Sequence, residues 1–113
     1  MTLLAAHLPA HVRDDPVIVG IKTAVQALLG DRCQRLLLHG ARTRADASAE
    51  APYDVVAILA DVSERAAEQH LAIALKPLED AHRVCIACVL VPAQALERRT
   101  GFVWNLLSEA LDI

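Results

Sequence analysis

"LLLHGARTRADASAEAPYDVVAIL", residues 36–59, is the stretch from which the rest of the chain can be ordered. It holds two apolar runs, Leu36–Leu38 and Val55–Leu59, with small and polar residues between them from Ala41 to Pro52. A short run that is apolar throughout and bounded by turn residues reads as a strand covered on both faces. The second run opens on Tyr53 and Asp54 and is rich in β-branched residues, which suit a pleated surface. Gly40 ends the first strand, and the stretch therefore predicts strand, glycine turn, loop, strand, with one short helix possible after Gly40.

Working outward, Asp15 before Pro16 marks a helix start, with a capping carboxylate followed by proline in the first turn. Ile18, Ile21, Val25 and Leu28 recur at three and four and give that helix one apolar stripe, and Gly30 closes it. Downstream, Asp61 or Ser63 caps a second long helix with Ala67, Leu71, Ala74, Leu75 and Leu78 as its stripe. Pro77 should kink or end it, because proline removes a helical N–H and crowds the preceding turn. "RVCIACVLV", residues 83–91, reads as a third strand stopped by Pro92, and "AQALERR" as a short helix. Thr100 caps a last helix with Phe102, Val103, Leu106, Leu107 and Ala110 on its apolar face. The order is α-β-β-α-β-α, the pattern of a small α/β domain with helices packed on a sheet.

The 113 residues suffice for one domain, 1–113, with residues 1–13 as a tail or short helix. Hydrophobic residues make up 55% and charged residues 22%, enough apolar surface for a real core. Only Tyr53, Phe102 and Trp104 are aromatic. The net charge of −3 excludes an extensive nucleic-acid surface, which needs a basic face, but leaves room for a small basic pocket. The N-terminal apolar run is short and broken by His7 and Pro9, and no segment approaches the ~18 apolar residues of a membrane helix. A cytoplasmic protein is expected. Three cysteines make no disulfide framework. Cys85 and Cys88 form a C-x-x-C, with His82 nearby, but within a strand residues three apart point to opposite faces, so they read as small buried hydrophobes rather than a metal or redox pair.

A strand, a glycine turn and a helix start can hold a phosphate, because free N–H groups face the anion. Two carboxylates one residue apart on a neighbouring strand would project to one side and could hold Mg²⁺. In this chain Gly40-Ala41, the ten residues Arg42–Ala51, and then Pro52-Tyr53-Asp54 follow that layout. The stretch resembles the minimal nucleotidyltransferases of the DNA polymerase β-like superfamily, whose signature is Gly-Ser, ten residues, then Asp-x-Asp. Arg42, Arg44 and Asp46 fall in matching places, and "YDVVAIL" is similar to the family's second strand. "FVWNLLSEALDI" is similar to its closing helix, with Asn105 and Glu109 in place and Ala110 instead of a glycine. The resemblance covers nearly the whole chain from Asp14 and implies a nucleotidyltransferase-like mixed sheet of about three strands flanked by helices. It also implies nucleotide contacts at Gly40, Ala41, Arg42 and Arg44, and a metal ligand at Asp54.

The departures fall on the chemistry. Ala41 stands in place of the serine and Pro52 in place of the first carboxylate. The start of the third strand, Val84, Cys85, Ile86 and Ala87, offers no third acid. One carboxylate, Asp54, holds Mg²⁺ poorly, since the ion keeps its water unless several hard oxygens replace it. Asp46, Glu50 and Asp61 lie on loop ground suited to solvation, turns and capping. Pro52 suits the first residue of a strand, so the fold tolerates what the chemistry does not. Arg42 and Arg44 either grip an anion or are simply solvated. His39 reads as a partly buried histidine at a strand end, Phe102 and Trp104 as core or interface anchors, and Arg98 and Arg99 as surface or the rim of a contact.

The expectation is a catalytically degenerate protein, Asp54 being a relic, that acts by binding another protein. Family members of this size are often antitoxin-type partners of a helical HEPN-domain protein, so such a partner is what the resemblance implies. The low lysine content, Lys22 and Lys76 alone, leaves less strongly solvated surface than usual. The alternatives are an active nucleotidyltransferase, moving adenylate from ATP with a rearranged Mg²⁺ site, and a homo-oligomeric nucleotide-binding module joined through the last helix or the third strand.

Overall fold

A computed structural model describes residues 8–61 and 65–113. The described elements are α1 (Ala10–Arg13), α2 (Pro16–Leu29), β1 (Cys33–His39), β2 (Tyr53–Leu59), α3 (Arg65–His82), β3 (Ile86–Pro92), α4 (Gly101–Glu109) and β4 (Leu111–Asp112). Short 3₁₀ turns occupy Gly30–Arg32, Gly40–Thr43 and Ala93–Glu97. The fold is a small α/β domain whose mixed sheet has the order β3-β2-β1-β4. β1 runs antiparallel to both β2 and β4, and β2 runs parallel to β3 with α3 as the crossover. The sheet has four strands where about three were expected. The added one, β4, is two residues long and follows directly on α4.

Local chemistry explains the element ends. The Asp15 carboxylate accepts the Val17 N–H at 2.9 Å, with Pro16 opening α2. Gly30 follows α2 at φ +53°. The Thr100 hydroxyl accepts the Val103 N–H at 3.2 Å and starts α4. Asp61 lies 3.9 Å from Arg32; Ser63, the other expected cap of α3, lies outside the described residues. Pro77 does not end α3, which continues to His82. The residue is exposed, and so is Ile73, whose carbonyl would be the helical partner of the N–H that proline lacks.

The strand period of two splits the core. Leu36, Leu38, Val55, Ala57 and Leu59 face α2 and α3, packing with Ile18, Ile21, Val25, Leu71 and Leu75. Leu37, Val56 and Ile58 face the other way, onto Leu106 of α4. On α2 the stripe closes with Leu29, and Leu28 is exposed. On α3 Ala74 is exposed, while Leu78 is half-buried and sits so close to Gly20 that a Cβ there would lie 2.7 Å from it. On α4 only Val103 and Leu106 are buried; Phe102 and Leu107 point into solvent, and Ala110 caps the helix from outside it. Cys85 precedes β3 and is exposed, contrary to its expected burial. Cys88 is half-buried, and burial pushes its thiol up to about 12, which makes it a poor nucleophile. Among the described residues no helix is long and apolar enough to cross a membrane.

Candidate functional site

The ends of β1 and β2 bring His39 opposite Asp54, and the chain leaves β1 through the turn at Gly40. Gly40 has φ +77°, a conformation that side chains disfavour. A Cβ built there would lie 2.9 Å from Oδ2 of Asp54. Glycine is thus required twice, by the backbone and by the carboxylate packed on its Cα. Gly40, Ala41 and Asp54 do come together as the spacing predicts.

Arg42 is turned inward. Its Nε donates to the Ala51 carbonyl at 2.9 Å and its Nη2 to the Ala49 carbonyl at 3.0 Å. The guanidinium lies 4.3 Å from the centre of the Tyr53 ring, a cation–π contact. Its place is that of a strap across the loop, with two of its five N–H donors taken by carbonyls. Arg44 is exposed and lies 3.8 Å from Asp46. The Thr43 hydroxyl, which the sequence did not single out, donates to the Gly40 carbonyl at 2.7 Å. His11 lies within hydrogen-bonding distance of the Thr43 carbonyl, 3.2 Å, and ties α1 to the turn.

Beneath Arg42, the Tyr53 hydroxyl donates to Asp15 Oδ2 at 2.6 Å, so one aspartate caps α2 and anchors β2. Burial, then the Asp15 hydrogen bond and charge, push the Tyr53 phenol up to about 12, against a smaller opposing pull from Arg42. A pKa raised above the unfolded value of about 10 contributes stability that is whole below pH ~10 and lost as pH rises through about 12. Ultraviolet titration of this single tyrosine should show no phenolate at pH 10.5 in the folded protein; a midpoint near 10 would contradict the buried hydrogen bond. Tyr53→Phe should lower stability by about 1.5 kcal/mol, the worth of a hydrogen bond to a charged group, in denaturant melts.

The turn forms one wall of an open cleft. Gly40, Ala41, Thr43 and Arg44 line one side and Glu109 of α4 the other. An adjoining depression of about 230 Å³ is lined by His39, Gly40, Phe102, Asn105, Leu106 and Glu109. The His39 and Phe102 rings meet edge to face at 6.4 Å. Asn105 and Glu109, which the resemblance placed on the closing helix, therefore do face Gly40. Phe102 is a wall of the depression rather than core, with half its surface exposed.

These donors do not fit a resident Mg²⁺ ion. Among the described residues no three His, Cys, Asp or Glu side chains cluster. Asp54 packs on Gly40, and Asp46 and Asp61 lie beside Arg44 and Arg32. A hard ion that sheds water only for several oxygens finds no set of them here. What the arrangement does offer is a preformed cleft with one apolar wall, a carboxylate at Glu109 and an amide at Asn105. Compared with protein-family models, curated proteins and solved structures, the chain gives no significant match in any of the three.

Proposed function

We propose that the chain is a catalytically degenerate nucleotidyltransferase-like protein that acts by binding a helical protein partner through α4. A HEPN-type partner is the one the sequence resemblance implies. The observation that carries the reading is the exposed apolar surface of α4: Trp104 is 64% exposed, Phe102 50% and Leu107 42%. Large side chains of this kind on a nine-residue helix leave apolar area in water that a partner would cover. Trp and Phe are also the residue types that anchor interfaces at low entropy cost.

Trp104 is the single tryptophan and serves as its own reporter. Its emission should be that of a solvated indole in the free protein and shift to the blue when a HEPN-domain protein is titrated in. Trp104→Ala should weaken that complex at least tenfold, the loss of an anchor worth about 2 kcal/mol, without altering the circular dichroism. An unshifted emission with every helical partner tried would remove the reading. The competing reading, adenylyl transfer from ATP, is favoured only by Glu109 lying across the cleft from Gly40. Calorimetric titration with ATP and Mg²⁺, followed by a labelled-nucleotide transfer assay, decides it: heat and transfer would support an enzyme, and neither would leave the binding role.

A further inference from the structure

The outer edge of β3 is built for one kind of neighbour. Tyr53 donates its N–H to the Cys85 carbonyl at 2.9 Å, so Cys85 faces β2. Along a parallel ladder the facing alternates, which turns Ala87, Val89 and Val91 toward β2 and Ile86, Cys88, Leu90 and Pro92 away from it. The outward N–H of Ile86 is taken by Glu79 Oε2 at 2.8 Å, and Pro92 has no N–H. Between these two closed ends, Cys88 and Leu90 each present an N–H and a C=O, and among the described residues no hydrogen bond reaches them. The strand carries no charge from Ile86 to Pro92, although free edges are commonly guarded by one.

We propose that β3 pairs antiparallel with β3 of a second copy of this chain, about a two-fold axis through Val89, to make one continuous sheet. In that register Cys88 meets Leu90 of the second copy and the two exchange both backbone bonds, once on each side of the axis. Ile86, whose N–H is already taken, meets Pro92, which has none, so the ladder closes with no N–H left over. Val89 lies directly opposite its own copy, which covers a side chain now 49% exposed.

The helix above the edge fits the same axis. Glu79 stands over Ile86. Ala72 lies seven residues earlier in α3, about 10 Å along the helix, or about three residues along the strand, which is the level of Val89. Ala72 is small and exposed, so two copies of α3 can run antiparallel past each other there. The same two-fold sets Glu68 opposite Lys76 of the second copy and Arg65 opposite Glu79 of the second copy. Both of these pairs are of opposite sign. Lys76, now 2.9 Å from Asp80 on its own helix, is exposed and free to bridge both. A second copy is favoured over a foreign strand because the edge and the helix are each complementary to themselves about one axis.

Sedimentation velocity on the full chain should give twice the mass of one chain at micromolar concentration. Glu68→Lys, which sets like charges together twice, should weaken the dimer about tenfold, and adding Lys76→Glu should restore it. Val89→Arg should leave a monomer with unchanged circular dichroism. A monomer at all concentrations, or a dimer indifferent to Val89→Arg, overturns the proposal. So does weakening by Glu68→Lys that Lys76→Glu fails to rescue. Both charge-swap positions are exposed, so that pair of variants remains decisive if Val89→Arg does not fold. The proposal does not rest on α4: Trp104→Ala should leave the dimer intact.

Discussion

Gly40→Ala is expected to destabilise the protein by about 2–3 kcal/mol. About 1–2 kcal/mol comes from holding a side chain at a left-handed φ, here +77°. The rest comes from the new Cβ, which would sit 2.9 Å from Asp54 Oδ2 and must displace that carboxylate. The two parts separate in a double variant. Asp54→Ala removes the obstruction, so Gly40→Ala should cost about 1 kcal/mol less in that background, a coupling typical of touching residues. Chemical denaturation of the four proteins measures it. Strict additivity would mean that the carboxylate does not constrain the turn.

Leu106→Ala is expected to cost about 3 kcal/mol, and to do so unevenly. Leu106 is buried among Leu37, Val56 and Ile58, and with Val103 it supplies the buried side chains of α4. Truncating a buried leucine removes transfer energy and leaves a cavity. The opposite face of the sheet, held by α2 and α3, does not share in that loss. Hydrogen exchange should therefore quicken in α4 and β4 while amides in the centre of β2 stay protected. Equal acceleration in all strands would show that the two clusters unfold as one.

Much of this architecture is legible in the sequence because it rests on local signals. Asp15-Pro16, Gly30 and Thr100 mark helix ends by their own hydrogen bonds and dihedral angles, and the apolar runs at Leu36 and Val55 are strands because both of their faces are covered. Where the expectation slipped, a tertiary effect overrode a local one. Pro77 sits on the solvent-facing side of α3, away from the packed core. Leu28 and Leu29 are equivalent by composition, and only the angle at which α2 meets the sheet buries the second. Phe102 and Leu107 fit an apolar stripe, yet α4 covers a narrow face and leaves them outside. β4 has two residues and no pattern to read; it exists because α4 delivers the chain to the free edge of β1.

For the site, spacing predicted the meeting of Gly40 with Asp54, since a strand, a turn and an antiparallel strand can hardly place them elsewhere. It did not predict what Arg42 does, because a guanidinium in a loop serves an anion or a carbonyl equally well and only the loop's return path decides.

That return path has a practical consequence. Arg42 fastens the turn to Ala49 and Ala51, and the exposed residues Ala45 and Asp46 sit at the tip of the ring of contacts so closed. Lengthening the tip breaks none of these contacts, and loop entropy grows only slowly with length, by about 0.6 kcal/mol per doubling. An epitope or a fluorophore-binding peptide inserted after Ala45 should be carried at little thermal cost, which makes this the natural place to label the protein without touching α4 or the edge of β3.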